Sequence, residues 1–424
     1  MNSHIIACGP SGFAGAGRIM CSGLQNAAEH GTRCTYVGPA TPFPWAHTGS
    51  GEVEVTWRDG PVRSGAIGTG AAIHNESVLL PLELADSLMK AARSSIAEGN
   101  TPIIWAHYLF PYGAAGVLAA GLLRGCGAPV RLWLNPAGSD IWEVGPQLSE
   151  LATGLLSDPG VDRIVTYSSS FAAELSVQYG VDRPVDVLKP CLDGNGRYRP
   201  LSAVDRAAAR RRLGLPADAF LISMHSNMRP VKAPEDVLSV ARRVAGLVDS
   251  REVVLLLAGP EPSVSWDLTP LDIRILGLLR DVTEVLQVSD VELNLSRHDS
   301  FNLSLAEAMA CGIPVVTTDV VGIAPDIHHC EAGATVHLEP PGPPCPRRRY
   351  REVVDALCRF ALREDERSAA GRRAGKHAAA VFSGEAHWTR LRSLLSPEFA
   401  GGFAAVTHDR LESHGVRAGK SRRR

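Results

Sequence analysis

Two carboxylates eight positions apart, Asp299 and Glu307, bracket the most informative stretch of the chain, Ser296-Arg-His-Asp-Ser-Phe-Asn-Leu-Ser-Leu-Ala-Glu-Ala-Met-Ala-Cys-Gly-Ile-Pro-Val-Val-Thr-Thr-Asp319. An apolar run ends at Leu295 and a polar turn follows. A helical pattern then runs from about Leu303 until Gly312 and Pro314 stop it. Asp299 falls in the turn and Glu307 inside the helix. The free N–H groups and positive dipole end at the helix start form an anion site. One carboxylate beside it and another further along suit a ligand with both phosphates and hydroxyls, because N–H groups take phosphate and carboxylates accept from sugar hydroxyls. The spacing alone equally fits a solvated acidic turn with a surface glutamate. Upstream, Asn227-Met-Arg-Pro-Val-Lys232 sets two cations, Arg229 and Lys232, about one turn apart. Such a pair offsets charge that builds on a departing diphosphate, or forms a solvated basic turn.

Weaker signals lie in the first half. Gly12-Phe-Ala-Gly-Ala-Gly17 follows the opening apolar run, and glycines let backbone N–H groups approach a phosphate or sugar closely. The spacing is not G-x-G-x-x-G, and no acidic residue ends the second run near Val37, which argues against a dinucleotide fold. His107, Tyr108 and Asp140 sit at candidate strand ends, where open α/β sheets place ligand-binding groups. A buried histidine satisfied by backbone fits the same position. His298, His328 and His329 lack any H-x-x-x-H or H-E-x-x-H spacing, so no metal site is expected. The nine cysteines are scattered singly with no C-x-x-C pair, and read as buried hydrophobes rather than a disulfide framework.

These residues need elements to hold them. Candidate strands are His4–Cys8, Cys34–Val37, Pro102–His107, Val130–Leu134, Arg163–Tyr167, Phe220–Met224, Val253–Ala258, Ile273–Gly277, Val291–Leu295 and Val315–Thr318. Runs this short and continuously apolar suit a parallel sheet buried on both faces. Helical patterns lie between them, as at Gly113–Arg124, Phe171–Tyr179, Ala233–Val248 and Leu303–Cys311. Strand–helix alternation repeated twice predicts an α/β chain of two doubly wound, Rossmann-like domains. The Gly- and Pro-rich stretch 190–200 separates them, giving a first domain over 1–192 and a second over 203–378. The Pro-rich stretch from Glu339 to Tyr350 reads as a surface loop. Residues 396–424 read as a basic, disordered tail.

Composition sets the outer bounds. The chain has 424 residues, 45% of them hydrophobic, and 43 Lys+Arg against 45 Asp+Glu for a net charge of −2. That near-neutral balance argues against a dedicated nucleic-acid binder. No apolar run approaches the roughly 20 residues of a membrane span, and the N-terminus carries no secretory pattern. A soluble, cytoplasmic protein is expected, with homo-oligomerisation left open.

The Asp299–Glu307 segment resembles the E-x(7)-E signature of retaining nucleotide-sugar glycosyltransferases of family 4, which have the GT-B fold of two Rossmann-like domains facing a central cleft. Glu307-Ala-Met-Ala-Cys-Gly-Ile-Pro-Val-Val316 is close to the family pattern. Further likenesses run in order along nearly the whole chain: the Gly12–Gly17 loop, Asn227–Lys232, Val253–Pro260 and Gly277-Leu-Leu-Arg-Asp281. Within the family, His107-Tyr108, Gly138-Ser-Asp140, Ser226-Asn227 with Arg229 and Lys232, and Asp299-Ser-Phe301 resemble the low-molecular-weight-thiol branch that joins N-acetylglucosamine to malate in bacillithiol synthesis. The S-glycosyltransferases of lincosamide-antibiotic biosynthesis resemble the same branch, and use a GDP-linked octose and a thiol.

The resemblance implies a role for each matched residue. Arg229 and Lys232, with the helix N-terminus at Leu303, would stabilise the departing diphosphate. Glu307 would hold the ribose hydroxyls and Asp299 the sugar. Asp140, Gly15, Ala16 and Gly17 would line the reacting face, and Ser300, Phe301, Asn302, Ala137 and Gly138 the rest of the donor site. Leu278 and Arg280 would sit by the base, and His107 and Tyr108 by the acceptor. The final helix, 379–395, would pack back on the first domain. No cofactor or bound metal is implied; the partners are a UDP- or GDP-linked sugar and a small-molecule acceptor.

Three departures gather around the sugar. Ala137 stands where relatives have His, Asp299 where they have Glu, and Asn302 where they have Gly. They suggest a donor sugar extended beyond C6, or drift in a site that still takes a hexose. Two other activities fit the same fold: a sugar-nucleotide 2-epimerase, which needs no acceptor site, and a non-catalytic sugar-nucleotide-binding relative.

Overall fold

The structure is a computed structural model, described here for residues 3–10, 15–38, 53–56, 80–143, 147–192, 196–260, 271–279, 281–337 and 350–396. The first half forms strands β1 (Ser3–Cys8), β2 (Arg33–Val37), β3 (Val53–Thr56), β4 (Thr101–His107), β5 (Arg131–Asn135), β6 (Arg163–Thr166) and β7 (Val185–Val187). They pair in the order β3-β2-β1-β4-β5-β6-β7, every pair parallel. Helices α1 (Gly15–Glu29), α2 (Leu80–Ala97), α3 (Ala114–Gly125), α4 (Ser139–Trp142), α5 (Ser149–Ser157) and α6 (Ser169–Tyr179) form the connections.

The period of two in each strand divides the apolar residues between two cores. Ile6, Cys8, Ile104, Ala106, Leu132 and Leu134 pack with α2 and α3 on one face. Ile5, Ala7, Ile103, Trp105 and Trp133 pack on the other with Met20 and Leu24 of α1 and with Leu391, Leu394 and Leu395.

The second half repeats the plan. After α7 (Ala203–Arg212) come β8 (Phe220–His225), α8 (Pro234–Ala245), β9 (Val253–Ala258), β10 (Asp272–Gly277), α9 (Thr283–Val288), β11 (Val291–Asn294), α10 (Leu303–Ala310), β12 (Val315–Thr318), α11 (Ala324–Cys330) and β13 (Gly333–Val336). The strand order is β10-β9-β8-β11-β12-β13, again with parallel pairs. In both sheets the order reverses beside the first strand, between β1 and β4 and between β8 and β11. Crevices beyond the carboxyl ends of strands at such points are where doubly wound sheets hold ligands. Thus the ends of β4, β8 and β11 bring forward His107, His225 and the Asp299 turn.

The C-terminal region differs from expectation in one respect. No single helix covers 379–395: α12 (Arg351–Leu362) and α13 (Glu364–Val381) are followed by a break, and α14 (Gly384–Leu395) starts anew. Ser383 caps α14, its side chain accepting from Ala386 N. Helix α14 lies against the first sheet, where Arg131 donates to Leu395 O and His387 Nδ1 pairs with Lys189 O at 2.9 Å. No described helix is long and apolar enough to cross a membrane. Arg280, most of the Pro-rich stretch 339–350, and the tail beyond Ser396 lie outside the described residues.

Candidate active site

Helix α10 is built for an anion at its start. Asn302 takes the left-handed conformation, φ 79°, and its side chain accepts from Leu305 N. A non-glycine residue here must tolerate positive φ while capping the helix, and asparagine does both. Asn302 therefore meets the backbone demand of this position. Its Nδ2 is buried without a hydrogen-bond partner.

Asp299 caps its own turn, accepting from Phe301 N at 3.2 Å, and pairs with Lys232 Nζ. Lys232 ends a short 3-10 turn, Pro230–Lys232, that enters α8 through Ala233 at φ 50°. Arg297 N donates to Val231 O at 2.8 Å and so ties the two loops together. Arg229, at the start of that turn, reaches across the cleft to Glu143 Oε1 at 3.0 Å. Lys232 is thus paired with Asp299 on the turn that leads into α10, while Arg229 pairs with Glu143 of the first domain.

Glu307 is 1% exposed, far from a surface glutamate. Its Oε1 accepts from Tyr198 Oη at 2.6 Å and from Arg18 of α1, while Oε2 meets His225 Nε2 at 2.9 Å. Burial alone would raise its pKa, but Arg18 and then His225 hold the carboxyl down to about 2. Arg18, Ile19, Ser22, Cys191, Leu192, Tyr198, Leu303 and Glu307 line a cavity of about 10 Å³. That is room for roughly one water molecule. Any ligand group reaching Glu307 Oε1 would have to displace Arg18 or Tyr198.

The first-domain wall is the turn from Ala137 to Glu143. Gly138 has φ 117°, and a Cβ there would lie 2.6 Å from the Trp142 ring, so only glycine fits. Asp140 is fully buried, with Oδ1 accepting from Ala137 N and Gly138 N and Oδ2 from Leu109 N. Burial raises its pKa to about 6 against those three N–H groups. Asp140 therefore shapes the turn and presents its backbone to the cleft.

Ser300 joins the two walls: its Oγ donates to Ala137 O at 2.6 Å and its carbonyl accepts from Ser168 Oγ at 2.8 Å. Trp142 packs on His298 across the same seam, with ring centroids 4.6 Å apart. Tyr108 holds φ 72°, a conformation that costs a bulky residue energy and is concentrated at functional sites. His107 is buried beside Tyr167 Oη at 3.4 Å, and burial lowers its pKa to about 3, so it is neutral. Its Nε2, like Asn227 Oδ1, Arg229 Nε and Asn302 Nδ2, is buried without a hydrogen-bond partner. All four belong to residues at or beyond the carboxyl ends of strands β4, β8 and β11.

Comparison with known proteins shows what the chain is similar to. Residues 219–343 match the family model described as "Glycosyl transferases group 1". That match covers under a third of the chain. It is 33% identical over 236 residues to the D-inositol 3-phosphate glycosyltransferase of Saccharomonospora viridis, covering 51% of each chain. It is 27% identical over 275 residues to N-acetyl-alpha-D-glucosaminyl L-malate synthase of Bacillus anthracis, covering 60% of this chain and 66% of that one. The chain thus spans about half the length of the first of these relatives and just under two thirds of the second. Among solved structures, Anabaena HepE in complex with UDP and glucose superposes with a TM-score of 0.66 at 16% identity, covering 93% of this chain and 99% of that one. Sucrose-phosphate synthase from Thermosynechococcus elongatus gives 0.67 at 17%, covering 92% and 98%. The fold is the two-domain α/β architecture of the GT-B glycosyltransferases.

Not every anticipated residue faces the cleft. The Phe301 ring is buried edge-on against Phe382, with centroids 5.5 Å apart, and contributes packing. Leu278 is 80% exposed beyond β10. Gly15, Ala16 and Gly17 form the first turn of α1, one residue ahead of Arg18. Arg18, Tyr198, Glu143, His225 and Glu292 were not anticipated. Glu292 did carry a signal, an acidic residue inside the apolar run Val291-Glu-Leu293.

Proposed function

We propose that the protein is a retaining glycosyltransferase that moves a sugar from a UDP- or GDP-linked donor to a hydroxyl or thiol of a small-molecule acceptor. The observation that carries this reading is the convergence of Arg229, Lys232, Asp299 and the capped α10 N-terminus at one cleft, with Glu307 held ionised behind them. The diphosphate would lie on the helix N-terminus and take Lys232 and Arg229 from their carboxylate partners, while the ribose would displace Arg18 from Glu307 Oε1. The acceptor O–H or S–H attacks the anomeric carbon as the bond to the β-phosphate oxygen breaks. The proton passes to the leaving phosphate. Asp140, with both oxygens taken by backbone N–H groups, is not arranged as a nucleophile, which supports front-face attack without a covalent intermediate.

The relatives named above act, by their names, on inositol 3-phosphate and malate, which supports a small polar acceptor. The first is named a glycosyltransferase and the second a synthase, neither an epimerase, and no described feature favours the epimerase. The test is turnover with UDP- and GDP-sugars: nucleoside diphosphate should appear when an acceptor is supplied. Epimerisation without an acceptor would contradict the assignment.

The sugar itself is read from Ala137. Ala137 carries only a methyl where the family resemblance implies a histidine, on a turn whose carbonyl accepts from Ser300 Oγ at 2.6 Å. We expect Ala137→His to shift kcat/KM toward ordinary hexose donors by about tenfold, the scale on which a pocket discriminates by fit. An unchanged preference between hexose and longer-chain donors would remove the case for an extended sugar.

A further inference from the structure

Behind Glu307 the second domain buries a charged chain. Glu292, on β11, is inaccessible to solvent, and His225, at the end of β8, is 5% exposed. Ser223 Oγ donates to Glu292 Oε2 at 2.5 Å, and His225 N donates to Glu292 Oε1 at 3.0 Å. The imidazole lies between two carboxylates, Nδ1 at 2.9 Å from Glu292 Oε1 and Nε2 at 2.9 Å from Glu307 Oε2. Ionised carboxylates only accept, so both ring nitrogens donate and the ring is an imidazolium. A buried cation of this kind is costly unless paired on every side. Glu292 and Glu307 supply that pairing, with Arg18 and Tyr198 on the far side of Glu307.

The geometry is asymmetric. His225 fastens only Oε2 of Glu307, and Oε1 is the oxygen that meets Arg18 and Tyr198, residues lining the small cavity. We infer that His225, backed by Glu292, is a positioning residue that locks Glu307 with Oε1 presented to the ribose hydroxyls of the donor. Ribose recognition is thereby set by a second pair of residues that never touch the ligand. This rests on the reading of Glu307 as the ribose acceptor.

The experiment removes the hydroxyls rather than the protein. Affinities of the full chain for UDP, GDP, their 2′,3′-dideoxy counterparts and pyrophosphate are measured by titration calorimetry, using whichever nucleotide binds more tightly. The wild-type chain should bind the dideoxy form about tenfold or more weakly, the scale of a hydrogen bond to a charged group. His225→Asn can still reach Glu292 but falls short of Glu307, so the dideoxy discrimination should collapse toward one while pyrophosphate affinity holds. His225→Gln is long enough to reach Glu307 and should retain part of it. If His225→Asn does not fold, the charge-balanced pair His225→Gln with Glu292→Gln serves the same comparison and should show reduced discrimination. Wild-type discrimination in the Asn variant, or in that pair, would overturn the positioning role. A wild-type chain that does not distinguish the dideoxy nucleotide would instead overturn the ribose reading of Glu307.

Discussion

Lys232→Ala should lower kcat by about 10²- to 10³-fold, the loss typical when one preorganised charge or donor at a developing anion is removed. The expectation rests on where Lys232 sits. Its ammonium is 14% exposed and paired with Asp299, which itself caps the turn leading into α10. The charge is thus held beside the helix N-terminus before any donor arrives, so little reorganisation is needed when the diphosphate departs. Stability should change little by comparison, because Asp299 is 16% exposed and retains its bond from Phe301 N. Lys232→Arg keeps the charge but replaces a compact ammonium with a planar fork, and should recover only part of the rate. Steady-state kinetics with saturating donor decides the matter: a kcat within a few-fold of wild type would remove Lys232 from the mechanism.

Glu307→Ala should have the largest effect on donor affinity and a clear effect on stability. It removes the carboxylate that meets Arg18, Tyr198 and His225 together. Nucleoside diphosphate affinity should fall by about 10- to 100-fold, since hydrogen bonds to a charged group are worth roughly 1.5–3 kcal/mol. The variant also leaves the His225 imidazolium facing Glu292 alone. Linkage then gives a pH signature. Glu307 is depressed from 4.5 to about 2, so its stabilisation is present above pH 4.5 and lost as pH falls through 2. His225 is raised from 6.5 to about 10 by Glu292 and then Glu307, against burial, so its stabilisation is complete below pH 6.5 and lost as pH rises through 10. Denaturation midpoints followed across pH should decline on both flanks in wild type. In Glu307→Ala the acid flank should flatten and the alkaline decline should begin at lower pH. Unchanged flanks would show that the cluster does not couple to folding.

The two doubly wound sheets were legible because their central strands are continuous apolar runs; Val253–Ala258 and Val315–Thr318 have the same bounds in sequence and structure. The edge strands β3, β7 and β13 are not legible because Val53-Glu-Val-Thr56, Val185-Asp-Val187 and Gly333-Ala-Thr-Val336 are short and not continuously apolar. The break before α14 was missed because the helical pattern of α13 continues into it, and only Ser383 marks the cap.

At the site, spacing placed Asp299 and Glu307 about the start of α10 but did not reveal their partners. Arg18 and Glu307 are 289 positions apart and meet only because one sheet crevice faces the other. Tyr198 lies in a stretch read as a linker, yet its hydroxyl donates to Glu307. Motif spacing reports what one loop can do. The groups that set its charge come from elsewhere in the fold.

The chemistry also changes how the net charge of −2 is understood. The last ten residues carry five Lys+Arg and no acid, which leaves 38 against 45 in the remainder, or −7. An acidic body of this kind would bind a diphosphate through a local field, which in the proposed function Arg229, Lys232 and one helix end would supply.

The most direct measurement of the central claim is the anomeric configuration of the product. The full chain is supplied with an α-configured nucleotide sugar and an acceptor, and the anomeric proton coupling of the glycosylated product is read by NMR. An α-linked product, formed together with one equivalent of nucleoside diphosphate, is the expected result. A β-linked product, or a sugar nucleotide changed only at C2 with no nucleoside diphosphate released, would contradict it.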